Sequence, residues 1–528
     1  MSRGNRSLPP VAWGLAERAI SLVSPARALR RYQSKVATAH LRRSYEAAAK
    51  GRGTDGWRAG STAADTEIAA AGPTLRNRSR DLVRNNALAA QAVQVLVNNM
   101  VGYGIRPRAA SKDEALDKRV NDLWQEWSQR CDAHGHTNFD GLLALAVRGM
   151  IEGGESFAIR RTTRAGGRVP LQIELREPDH LDDGRMNTPG GGGRIAQGIE
   201  YDSSGRRTGY WMYPTHPGDN LPGQWRSLQS LRVPADMVAH LFERQRVQSR
   251  GVPWGAAAMR ALQDLGDWQD AELTRKKIEA SAVAFVFGDP LGDGGNSIAP
   301  LVKDSQGNTV EAFEPGLIGY VEGGKDVKFN SPAATPGIRE WNLVQMHIIA
   351  SGYRVPYALM TGDMSQANFS STRAGLNEFR RMIELMQWQC IIPMFCEQVW
   401  RWFCEAAWTA GLIGTPDVPA EWAPPKFESV NPWQDSQTDL LEVRAGFASL
   451  PQMISKRGYD TKQVLEEHSK ALAEVDKLGL VLDSDPRKTS RAGLTQARAP
   501  GSELPGTDPD ERVGSEGEGA APAGTEET

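Results

Sequence analysis

Cys131, Asp132, His134, His136 and Asp140 bring a thiol, two imidazoles and two carboxylates into one short stretch. Zinc takes such donors, but structural zinc sites pair their ligands at short spacing and draw a second pair from downstream, an arrangement this stretch lacks. The other reading of the cluster is a polar turn joining two helices. Asp179, His180, Asp182 and Asp183 make a second acidic set, and metal-dependent phosphoryl chemistry needs carboxylates that converge. Pro178 before it and Gly184 after it favour a turn here too.

Two glycine-rich runs, Gly190-Gly191-Gly192-Gly193 and Gly323-Gly324-Lys325-Asp326, lack the Lys-Ser or Lys-Thr pair that holds phosphate and magnesium. No Gly-x-Ser-x-Gly elbow offers a nucleophile. The sequence therefore assigns no catalytic residue, no metal and no cofactor. Neither ATPase nor nuclease activity is expected of the chain alone.

The elements around these residues predict an α+β fold. Apolar spacing predicts helices over 80–98, 112–128 and 141–151, then a strand over 155–161 and strand-like alternation near 171–175 and 210–213. Pro253 opens a helix over 254–282, which at 1.5 Å per residue spans roughly 40 Å. Short strands and Gly-rich turns follow from 283 to 330, and helix resumes near 337. The stretch 372–410 is the dominant core helix, with Leu376, Phe379, Ile383 and Met386 at helical spacing and a kink expected at Pro393. Trp388, Trp400, Trp402 and Trp408 are expected in the core or between subunits. Helices are also expected over 435–448, 450–457 and 461–477, the last capped by Asp460 with Gln463.

At 528 residues, with 40% apolar content and a net charge of −2, the chain can bury a sizeable core. No apolar run reaches the roughly 20 residues of a membrane span. The first 22 residues lack the apolar core of a secretory signal, so assembly in the cytoplasm is expected. Four cysteines in so long a chain do not make a disulfide framework. Charge is distributed unevenly: residues 1–52 hold eleven Lys or Arg against Glu17 and Glu46, while 501–528 hold eight acids against Arg512. The basic arm carries no base-reading motif, so nonspecific phosphate contact is its furthest implication. The acidic tail, rich in Gly and Pro, has nothing to bury and is expected to be disordered.

The run Val355-Pro356-Tyr357-Ala358-Leu359-Met360-Thr361-Gly362-Asp363-Met364-Ser365-Gln366-Ala367-Asn368-Phe369-Ser370-Ser371-Thr372-Arg373 breaks a helical pattern across a polar loop and restarts it at 371–372. It resembles the tunnel-loop segment of the lambda-type phage portal proteins. Other segments resemble the same family in order: Arg76-Asn77-Arg78-Ser79-Arg80-Asp81-Leu82-Val83-Arg84-Asn85-Asn86, Val101-Gly102-Tyr103-Gly104-Ile105, Glu152-Gly153-Gly154-Glu155, Glu177-Pro178-Asp179-His180-Leu181 and Gly251-Val252-Pro253-Trp254. The likeness covers roughly residues 40–480, and the ordered series is more specific than any one piece.

The resemblance implies an elongated portal subunit in a homo-oligomeric ring, commonly of twelve, at one capsid vertex of the virion. Double-stranded DNA of any sequence would be packaged and ejected through it. On that map 1–69 is a basic arm, 70–253 a mixed α/β wing, 254–282 the first stem helix, 283–336 a small α/β clip and 337–356 the second stem helix. The tunnel loop is 357–371, a long wing helix and its return fill 372–434, a helical crown 435–482, and 483–528 is the acidic tail. The implied partners are the terminase large subunit, major capsid and scaffold proteins, and head-tail connector proteins, with no membrane. The loop residues implied to face DNA are Thr361, Asp363, Met364, Ser365, Gln366, Asn368, Phe369 and Ser370. Phe369 stands where the family often has tyrosine. Independently of the resemblance, residues 357–372 contain no Lys or Arg, as suits a wall past which phosphates must slide, because each cation on phosphate adds salt-dependent grip. Two other functions compete: a metal-dependent nucleic-acid-processing enzyme using His134, His136, Asp179 and His180, and a head-assembly adaptor without a DNA channel.

Overall fold

The computed structural model describes residues 24–43, 60–163, 167–188, 192–219, 229–280, 284–288, 318–322, 327–329, 337–365, 369–425, 432–457 and 461–480, with single positions 20, 22, 427, 459 and 482. The expected disordered tail, the cap at Asp460 and most of the glycine-rich clip lie outside these residues. Part of the basic arm forms α1, Pro25–Arg43.

Helices α2, Ala64–Asn85, and α3, Ala87–Val101, occupy the stretch where one helix over 80–98 is expected. Asn86 divides it. Its extended backbone frees the side-chain oxygen to accept the Leu88 and Ala89 N–H groups at 3.0 and 3.2 Å, so it ends one helix and caps the next. Strand β1, Arg106–Ala109, is followed by α4, Glu114–Ser128, and α5, Phe139–Gly153, each opened by a capping side chain, Asp113 and Asn138. Gly154, left-handed at φ 92°, turns α5 into the next strand.

The strands that follow are β2, Glu155–Arg161, β3, Gln172–Arg176, β4, Arg194–Ala196, β5, Ile199–Tyr201, β6, Arg207–Met212, β7, Leu231–Pro234, and β8, Val238–Phe242. The expected strand over 155–161 is present. Two antiparallel sheets result, one ordered β3-β2-β8 and the other a β4-β5-β6-β7 meander. The first lies on the main core; Phe157, Ile159, Tyr210 and Met212 form a smaller core between the sheets.

The long helix expected over 254–282 begins later than 254. Residues Trp254–Ala257 form a tight 3-10 turn, and α6 proper spans Met259–Ala280, about 33 Å at 1.5 Å per residue. The root of the helix packs closely on α7, Ile338–Tyr353: a Cβ on Gly255 would sit 2.4 Å from the Tyr353 ring, and one on Gly352 would sit 2.7 Å from Ala258. Strands β9, Ala284–Gly288, β10, Ile318–Glu322, and β11, Val327–Phe329, form a small mixed sheet with β9 in the middle. The chain returns through α7, Ile338–Tyr353.

After α8, Tyr357–Thr361, the helical run resumes as α9, Phe369–Met386. Around Pro393, where a kink is expected, residues Gln387–Cys396 widen into a π-helix before α10, Glu397–Thr409. The wider turn moves the proline ring off the carbonyl it would strike in an α-helix. Gln387, buried here, donates to the Met100 carbonyl at the end of α3 at 2.8 Å. Trp400 and Trp402 are buried as expected, with indole N–H groups on the Val418 and Asp236 carbonyls. Trp388 and Trp408 are about half exposed on the single subunit, outside its own core. Strand β12, Ala420–Ala423, pairs with β1, and α11, Pro432–Arg444, α12, Leu450–Lys456, and α13, Thr461–Lys477, follow. Among the described residues no helix is long and apolar enough to cross a membrane.

Candidate functional site

The first metal-like cluster is a turn. Cys131 is buried, its thiol pushed up to about 12 by desolvation, and it donates to the Ser128 carbonyl. The Asp132 carboxylate accepts backbone N–H groups of His134, His136 and Thr137 at 2.9–3.2 Å. Burial alone would raise its pKa, but these donors hold it below the usual range. Asp140 packs on the backbone of Gly104, where a Cβ would come within 2.1 Å of its carboxylate.

Asp179 and Asp183 of the second cluster belong to a charge network, buried at its centre, that draws together four of the sequence motifs, while Asp182 accepts the Ser230 hydroxyl at 2.6 Å. Arg250 donates from Nε to Glu155 Oε1 at 2.7 Å and from Nη1 to Asp183 Oδ1 at 2.5 Å. Arg76 reaches the other oxygen of Asp183 at 2.7 Å, and Arg80 bridges Asp179 and Glu177 at 2.5 and 2.7 Å. Side-chain exposure is 1% for Arg250, 0% for Glu155 and 5% for Arg76. Such charges are tolerable inside only when paired and hydrogen-bonded.

Burial pushes the Glu155 carboxyl up, but Arg250 and His240 outweigh it and hold the group well below its ordinary value. His240 is stacked between Phe157 and Phe242 at 4.3 Å from each ring, and burial pushes it down to about 4. Burial likewise pushes His180 down to about 4. Glu177, Asp179 and His216 come close enough to share an ion, but Arg80 already bridges the two carboxylates. The His216 Nδ1 accepts the Gly218 N–H at 3.0 Å, and its Nε2 lies 3.8 Å from Glu177. The carboxylates thus serve arginines.

Glu155 also accepts the Gly251 N–H at 3.1 Å. A Cβ on Gly251 would lie 1.9 Å from the Gly154 carbonyl oxygen, and one on Gly154 only 2.7 Å from the Val252 carbonyl carbon. Both glycines are needed for the two backbones to cross this closely. From Gly251 the chain runs through Pro253 to Trp254, whose ring lies 4.6 Å beneath the Arg354 guanidinium. Arg354 also binds Glu243 through both nitrogens, at 2.7 and 3.1 Å. Its backbone is left-handed (φ 59°, ψ 31°), which costs a residue bearing a Cβ roughly 1–2 kcal/mol. No glycine marks this turn in the sequence, so sequence reasoning did not single it out.

The expected loop over 357–371 is therefore partly helical. Pro356 precedes α8 with a φ suited to a helix start, and Gly362 ends α8 in the left-handed region at φ 73°. Met360 is buried, Tyr357 stacks on His347 at 4.3 Å, and Gln91 donates to the Leu359 carbonyl at 3.4 Å. Thr361 Oγ1 donates to the Tyr357 carbonyl at 2.9 Å. Asp363 accepts the Tyr357 hydroxyl at 3.0 Å and the Ser365 N–H at 2.9 Å, and hydrogen bonds from Ser365 hold its carboxyl below the usual range. Met364 is 56% exposed, and Ser365 is also exposed. Gln366 and Asn368 lie outside the described residues. Phe369 and Ser370 open α9, two residues before the expected restart.

A family model described as phage portal protein, lambda family, matches residues 50–387. The probable portal protein of Halomonas phage phiHAP-1 is 25% identical over 493 residues, covering 89% of this chain and 92% of its own. Portal protein B of Escherichia phage lambda is 19% identical over 474 residues, covering 80% and 87%. Among solved structures, a chain from the neck of an empty GTA particle computed with C6 symmetry aligns with a TM-score of 0.41 at 14% identity, covering 72% of this chain and 93% of that one. A chain from the neck of a native GTA particle computed with C12 symmetry gives 0.39 at 16% identity, with the same coverage.

Proposed function

Because the chain belongs to the lambda family of phage portal proteins, the proteins of the phage head vertex, we propose that about twelve copies close into a ring through heterologous contacts and that double-stranded DNA enters and leaves the head through its bore. The segment 357–371 lines the narrowest part of that bore. Residues 283–336 form the clip on which a terminase large subunit docks and supplies the energy of packaging, and the wing and crown meet the capsid, scaffold and connector proteins.

The observation that carries this reading is the absence of Lys and Arg from 357–372, together with the firm seating of α8 beneath the exposed residues Met364 and Ser365. A polar, cation-free surface offers weak contacts blind to sequence. Cations there would neutralise phosphates and release counterions, converting sliding into grip.

Met364→Lys with Ser365→Lys should preserve rings, seen by negative-stain microscopy as annular particles with a central hole. Packaging should then slow at low salt and recover partly as salt rises. Normal packaging by this double variant across the salt range would show that the loop does not touch DNA. Truncation after Pro500 should leave ring assembly intact, since the acidic tail has no apolar face to dock.

A further inference from the structure

Among the described residues, Gln197 and Arg354 are the non-glycine residues at positive φ. At Arg354 the backbone itself has no need of arginine: its N–H reaches the Ser351 carbonyl at 3.1 Å and the Val355 N–H reaches Ala350 at 3.0 Å, whatever the side chain. Glycine would fill this helix-ending position with less strain. What arginine adds is its fork on Glu243, just past β8, and its cation over the ring of Trp254, at the root of α6. One side chain thus ties the end of α7 to a sheet and to the other long helix.

Val355 and Pro356 alone separate Arg354 from α8. The proline restricts both its own backbone and that of the residue before it, so little slack lies between the fork and the loop. With only five residues, α8 is too short to hold itself as an isolated helix.

We propose that Arg354 is a positioning residue that fixes where the segment 357–365 leaves the body of the subunit. Its functional meaning rests on that segment being the channel loop.

Hydrogen exchange on the full-length chain tests the proposal at the Met360 and Gly362 amides, which donate to the Pro356 and Ala358 carbonyls. Arg354→Gly removes the fork but suits the backbone. It should keep or raise the melting temperature while these two amides exchange roughly tenfold faster or more, as the loss of a charge-assisted pair predicts. Glu243→Gln and Arg354→Lys, which cannot form the same two-pronged pair, should fall between. The Ile349 and Ala350 amides upstream should exchange as in the wild type. Wild-type exchange at 360 and 362 in Arg354→Gly would overturn the proposal. So would a lower melting temperature with faster exchange through α7 and α8 alike, the mark of general destabilisation. Slowed DNA packaging by Arg354→Gly supports both the fork and the channel loop. Fast local exchange with normal packaging leaves the fork standing and counts against 357–365 as the loop that meets DNA.

Discussion

Arg250, Glu155 and Arg76 carry full charges at side-chain exposures of 1, 0 and 5%, whereas the exposed turn 362–365 carries only Asp363, already engaged by Tyr357 and Ser365. The usual arrangement, with charge outside and neutrality inside, is reversed between these two regions. Inside, paired charges specify one way for α2, the sheets and the root of α6 to meet, since each unpaired alternative would strand an ion in low dielectric. Outside, the loop omits the groups that would hold a phosphate. The buried network fixes geometry; the loop avoids attachment.

The largest effect should come from breaking the network. Arg250→Ala strands the Glu155 carboxylate and should cost about 3–5 kcal/mol in chemical denaturation, while Met364→Ala on the loop should stay within about 0.5 kcal/mol. Comparable losses for the two variants would erase the contrast between the regions. A buried apolar body gives a second reference: Trp402→Ala, at 1% exposure, should cost about 3–5 kcal/mol through its cavity. Trp408→Ala, at 50% exposure, should cost much less.

Acid should act on the network before the loop. In the unfolded chain His240 titrates near its ordinary value of about 6.5, and in the fold burial pushes it down to about 4. Between those values the unfolded state binds more protons, so stability falls as pH drops through that window. The Glu155 carboxyl is held low by its partners despite burial; its contribution is present above the unfolded carboxyl value and is lost as pH falls toward the folded one. His240→Gln keeps a donor for Glu155 without a titrating proton. It should flatten the fall in melting temperature between about pH 6.5 and 5, leaving the share of His180, which burial also lowers to about 4. An unchanged slope would remove His240 from the account.

Sequence spacing predicted β2, α7 and the three C-terminal helices because their periodicity is local. It could not predict that Arg76 and Arg80 meet Asp183 and Asp179 across about a hundred residues, so those carboxylates looked available for metal. Position 86 lies in an unbroken helical pattern, and only the cap geometry of Asn86 reveals the break. The widening at Gln387–Cys396 was legible as a disturbance at Pro393, but not as a π-helix, because local periodicity does not distinguish a wider turn from a kink. In the loop the cation-free composition was readable, whereas α8 depends on packing of Met360 and on an arginine turn that lacks the glycine signal.

The smallest expected effect concerns Asp363, the one charge on the exposed turn. The substitution Asp363→Asn retains a side-chain oxygen for the Ser365 N–H, and its amide can donate to the Tyr357 hydroxyl once that group rotates from donor to acceptor, so folding and ring assembly should be unchanged. Hydrogen bonds from Ser365 and the Tyr357 hydroxyl hold the native carboxyl ionised, so each subunit adds one repulsive charge beside the proposed DNA path. Neutralising it removes repulsion without supplying a cation, and counterion release from phosphate does not begin until a cation binds. Packaging at low salt should therefore slow only slightly, far less than in the Met364→Lys and Ser365→Lys double variant, and the difference from wild type should vanish at higher salt, where screening shortens the reach of a single charge. A slowing by Asp363→Asn as large as that of the lysine variant would mean that the carboxylate itself holds DNA off, and that the loop works by repulsion as well as by lacking grip.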